Sequence, residues 1–124
     1  MFEISKPKSR EGAFLWLYKI IAGGLIVVIL AVHFIVNHFL GPKDGLLTYQ
    51  AVLDYYKNPI IPAMEIIFVI VAVTHSLIGT RSIILDTNPS PKTLKVIDWI
   101  LIAIGSAAII YGIWLILVLV SRIT

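Results

Sequence analysis

Apolar residues fall in three long blocks along this chain, separated by two short polar connections. The blocks run from Ala13 to Leu40, Pro62 to Leu85 and Val96 to Val120, each longer than the roughly 20 residues a helix needs to cross a bilayer. The pattern predicts an all-α membrane protein of three transmembrane helices, forming one anchor domain over residues 1–124. Between the first two blocks, Leu46, Tyr49, Leu53 and Tyr56 recur at helical spacing with Asp54 and Lys57 on other faces. That spacing predicts a short amphipathic helix lying on the membrane surface. Gly41 and Pro42 should end the first helix, and Asn88-Pro89-Ser90-Pro91 marks Thr87 to Lys95 as an extended turn. Gly105, Ser106, Ala107, Ala108 and Gly112 give the third block small residues that permit close helix contact.

Composition narrows the class. With 59% hydrophobic and 14% charged residues and a mean hydropathy of +0.97, the chain is no ordinary soluble domain. Three spans leave too little chain for a soluble catalytic domain, so any chemistry lies in the membrane or on a partner. Cysteine is absent, which excludes disulfides, cysteine-ligated iron–sulfur clusters and covalently attached c-type haem on this chain. The first block is too long for a signal-peptide core, and Glu3 and Glu11 disfavour a transit peptide, so the N-terminus is expected to be retained.

The net charge of +3 reflects topology rather than nucleic-acid binding. Lys6, Lys8, Arg10 and Lys19 precede or open the first span, and Arg81, Lys92 and Lys95 flank the second connection. Lys43 and Lys57 in the first connection and Arg122 at the C-terminus are fewer. The positive-inside rule then puts the N-terminus and second connection in the cytoplasm.

One polar seam interrupts the second block. His75 and Gly79 are one helical turn apart on nearly one face, Arg81 follows, and Asp86 returns to that face at the span's end, roughly 16 Å along the axis. An imidazole in hydrocarbon is costly and commonly marks a ligand, a relay or an ion path. For His75 two readings stand: an inter-helix hydrogen bond, or axial ligation of haem with Gly79 letting a flat porphyrin lie against the backbone and Arg81 pairing with a propionate. Asp86 either faces water or delivers protons at a quinone headgroup, and Lys19 either snorkels or contacts quinone or propionate. His33, in the first block, lies about 19 residues from the cytoplasmic edge and His75 about 8, a depth difference of roughly 16 Å. The two therefore cannot ligate one haem within the chain. His38 is an interface residue, and Asn37 and Glu65 receive no role.

The pattern His75-x-x-x-Gly79-x-Arg81-x-x-x-x-Asp86, preceded by Trp16-Leu17, Gly23 and Val32-His33-Phe34, resembles the small cytochrome b membrane-anchor subunits of succinate dehydrogenase (succinate:quinone oxidoreductase). The resemblance extends from Leu15 to Val120. It implies haem b, one or two per complex, shared with a second membrane-anchor subunit, with quinone as substrate. It also implies a flavoprotein subunit and an iron–sulfur subunit on the cytoplasmic face of a prokaryotic plasma membrane. By position, His75 would ligate the haem nearer the cytoplasm and His33 an outer haem. Arg81 would contact a propionate or quinone, and Asp86, with Lys19 and Trp16, would belong to the quinone region. The chain departs from the family pattern at Ile20 and Ala22, where Arg and Ser are common, and at Thr87, where Tyr is common. These departures shift quinone contacts towards the partner subunits. A haemless accessory subunit and a small multidrug-type transporter are the competing classes.

Overall fold

The structure, a computed structural model, describes residues 12–39 and 48–124. The basic N-terminal segment, Leu40, the helix-ending pair Gly41-Pro42, Lys43 and Leu46 lie outside the described residues. Among the described residues four helices follow in order: α1 Ala13–Phe39, α2 Tyr49–Tyr56, α3 Ile60–Asp86 and α4 Pro91–Ser121. Of these, α1, α3 and α4 are long and apolar enough to cross a membrane. The amphipathic helix expected between the first two spans is α2. Thr48 caps it by accepting a hydrogen bond from the Ala51 N–H.

The second connection is tighter than the sequence reading. Thr87 and Asn88 N–H groups bond back to Ile84 and Leu85 carbonyls, and Asn88 takes a left-handed φ of 53°. That is the helix-terminating conformation asparagine tolerates better than most residues. Ser90 then caps α4 through the Thr93 N–H, and Pro91 fills the first helical turn, where its missing donor costs nothing. The helix thus begins at Pro91, ahead of the apolar block, and its first turns carry Lys92 and Lys95.

α3 is the central element. α1 packs on one side of it and α4 on the other, α2 sits against α3 and α4, and α1 and α4 do not meet among the described residues. Gly105 and Gly112, seven residues apart on α4, form the close seam with α3. A methyl group at Gly105 would overlap Leu77 Cδ1, and one at Gly112 would stand 2.8 Å from Val69 Cγ1. Ser106, Ala107 and Ala108 stay exposed. Among the described residues, only Ala22, Ile29, Ile61 and Ile116 are buried hydrophobic side chains, whereas Phe14, Ile83 and Trp99 are 79%, 70% and 65% exposed. Three helices side by side bury little of one another, and their outer faces match lipid or a neighbouring subunit rather than water.

Candidate functional site

The ends of the helices define two polar regions. One lies where α1 begins, α3 ends and α4 begins; the other lies beside α2.

At the first, His75 turns towards α1. Its Nδ1 lies 3.1 Å from the Lys19 carbonyl, and because a carbonyl can only accept, Nδ1 carries the proton. In the neutral ring the lone pair is then on Nε2, which no described residue bonds. The ring rests over Gly23: a Cβ there would stand 3.2 Å from Cε1. Gly23 is the space in α1 that admits the imidazole. Flanking bonds fix the two helices. Thr74 donates to the Ile70 carbonyl of its own helix, so Tyr18 donates to Thr74 Oγ1 at 2.6 Å. One turn nearer the helix end, Lys19 Nζ donates to Ser82 Oγ at 3.0 Å.

Arg81 leaves α3 on the opposite side. Its Nε and a terminal nitrogen donate to the two carboxylate oxygens of Asp98 on α4, at 2.7 and 3.3 Å. This two-point geometry is what the planar guanidinium favours. Asp98 was not singled out in the sequence, though it is the lone acid inside the third apolar block. A cavity of about 440 Å³ lies between Leu15 of α1 and Leu101 and Ile102 of α4. Thr74, Leu77 and Ile78 line its α3 wall, and the Arg81–Asp98 pair borders it.

Gly79 has open space where a side chain would stand. Ser76, Thr80, Ile83 and Asp86 are exposed, and by helical spacing they share its side of α3. The hydroxyls of Ser76 and Thr80 bond back to carbonyls of their own helix. This face is neighbour to His75 and is covered by no described residue. Trp16, in the first turn of α1, is 54% exposed. His75, Lys19 and Gly23 are thus brought together, while Arg81, Asp86 and Trp16 lie around the same end without converging on one point.

His33 lies in the other region, ten residues beyond Gly23 on α1, or about 15 Å along the axis. Its Nδ1 donates to the Ile29 carbonyl at 3.0 Å, and its Nε2 is 2.6 Å from Glu65 Oε1 on α3. The Phe68 ring is 5.5 Å away. Glu65 also bears on α2. Burial, and then the nearby Glu65 charge, push the Tyr55 hydroxyl pKa up, and the same causes together with Tyr55 push Tyr56 up to about 12. The Tyr55 hydroxyl is buried without a partner among the described residues. The His38 ring meets Phe34 at a tilt of 51° with centroids 4.5 Å apart, and His38 is exposed.

The model of the succinate dehydrogenase/fumarate reductase transmembrane subunit family matches residues 3–112. The chain is 26% identical over 115 residues to the succinate dehydrogenase hydrophobic membrane anchor subunit of Archaeoglobus fulgidus, covering 93% of this chain and 97% of that one. It is 32% identical over 95 residues to the succinate dehydrogenase 2 membrane subunit SdhC of Mycobacterium tuberculosis, covering 76% of this chain and 68% of the relative. No solved structure matches it. With three apolar helices and a family match spanning nearly its whole length, the chain is a multi-pass membrane protein belonging to the succinate dehydrogenase/fumarate reductase transmembrane subunit family.

Proposed function

We propose that the chain is a haem b-bearing anchor subunit of a succinate:quinone oxidoreductase, with His75 as the axial ligand it contributes. The observation that carries this reading is the state of the His75 ring. Its Nδ1–H is tied to the Lys19 carbonyl, so the ring orientation and the tautomer are set and Nε2 keeps its lone pair. A backbone carbonyl on the non-ligating nitrogen is a common way of orienting a metal-binding imidazole. The open backbone at Gly79 and the uncovered side of α3 fit a flat macrocycle shared with another subunit. Bound there, a b-type haem would supply a one-electron relay. The second axial ligand and the remaining walls belong to a second membrane-anchor subunit.

The rest of this end suits quinone chemistry. Reduction of a quinone takes two protons as well as two electrons, and Asp86, exposed at the end of α3, is a carboxylate in contact with water. Lys19 and Trp16 stand at the same end on α1. By sequence position, Lys6, Lys8, Arg10, Lys19, Arg81, Lys92 and Lys95 make this the more basic side, against Lys43, Lys57 and Arg122 on the other. It is therefore the cytoplasmic side of a prokaryotic plasma membrane, and the side that receives the iron–sulfur and flavoprotein subunits.

Affinity purification of the tagged chain from native membranes tests the reading. A flavoprotein, an iron–sulfur protein and a second small membrane subunit should accompany it, with b-type absorbance in the reduced-minus-oxidised spectrum. Recovery of the assembled complex without that absorbance would leave a haemless anchor, in which His75 only bridges α1 and α3.

A further inference from the structure

The family resemblance assigns His33 to a second haem, and the residues around it do not fit that group. We infer that each copy of this chain contributes to one haem only, through His75, and that His33 instead forms a proton-sharing pair with Glu65 that ties α1 to α3 beside α2. This inference rests on the reading of His75 above.

The argument is a count of lone pairs and charges. His33 Nδ1 faces the Ile29 carbonyl at 3.0 Å and so must carry a proton. Nε2 is 2.6 Å from a carboxyl oxygen of Glu65, a separation that requires one further proton between them. Whether that proton is drawn on nitrogen or on oxygen, the pair is neutral overall, the state in which two ionisable groups are tolerated among lipid-facing helices. An iron atom on Nε2 would displace the shared proton. Glu65 would then lose its partner on α1, and a bare carboxylate would remain inside a span. Nothing comparable occurs at His75, where no described acid approaches Nε2. The side chains of the pair are only 19% and 21% exposed. The Phe68 ring centroid lies 5.5 Å from that of the imidazole.

The pair also ties α1 to α3 in this half. Among the described residues, the side-chain bonds Tyr18–Thr74, Lys19–Ser82 and His75–Lys19 lie towards the opposite end.

Haem content of the purified complex, measured by pyridine haemochromogen against protein, decides the matter. One haem per copy of the chain is expected in the wild type, together with a single component in a redox titration of the b-type absorbance. Two haems per copy, or two components, would overturn the inference while leaving the anchor function intact; no haem at all would overturn both. In His33→Gln the full haem content should persist while the unfolding temperature falls, and Glu65→Gln should behave alike. Loss of haem from His33→Gln, with the complex still assembled, would return His33 to the iron.

Discussion

Gly23 and His75 are a matched pair, one giving up its side chain so that the Cε1 edge of the other can approach α1. Gly23→Leu should therefore displace the imidazole and strip haem from the complex, whereas Gly24→Leu, where nothing stands within 4 Å of an added Cβ, should keep it. Haem-to-protein ratios of the two variants check this. At Tyr56 the prediction concerns pH. Its hydroxyl is pushed up to about 12 in the folded chain, above the ordinary value of 10, by burial, Glu65 and Tyr55 in that order. Sign follows from linkage: the neutral phenol is favoured by folding, so its contribution is complete below pH 10 and is lost as pH rises towards 12. Late-ionising tyrosine absorbance near 295 nm, and an unfolding temperature that falls between pH 10 and 12 but less so in Tyr56→Phe, are the expected results. The sequence made His75 and its Gly79 neighbour legible because one polar face in an apolar run has few explanations. Glu65 was legible only in part. It lies five residues from the start of α3, and His33 six from the end of α1, so both sit at similar depth near α2. Which way each faced depended on how α1 packs, and 32 residues of separation carry no trace of that.

Element boundaries show where periodicity is informative. The three spans were readable because a block of more than 20 apolar residues is hard to place anywhere but a bilayer. The start of α4 was not, since Pro91–Lys95 is polar and hydropathy tracks the membrane rather than the helix. The Ser90–Pro91 pair was the signal available: a capping hydroxyl followed by a proline at the first helical position. Between elements, the glycines at 105 and 112 set how near α4 comes to α3. Val69 is β-branched and stiff at χ1, so it cannot swing aside for a side chain at Gly112. Gly112→Ile should cost about 1–3 kcal/mol through overpacking. Ala108→Ile, on an exposed part of the same helix, should cost little. Thermal unfolding in detergent of the two variants against wild type measures the difference.

At the scale of the molecule, the described residues set three spanning helices side by side with many large apolar side chains uncovered, and the Nε2 of His75 stands beside an open face of α3. Membrane class, helix number and the position of the seam were all within reach of the sequence. The pairing of Arg81 with Asp98, and of His33 with Glu65 at the other end, was not, because these are contacts between helices whose partners only packing selects. The single measurement that bears most directly on the account is the reduced-minus-oxidised spectrum of the complex purified through this chain, compared between wild type and His75→Ala. The account predicts b-type absorbance in the wild type and its loss in the variant, with the partner subunits still copurifying. Undiminished b-type absorbance in an assembled His75→Ala complex would contradict it.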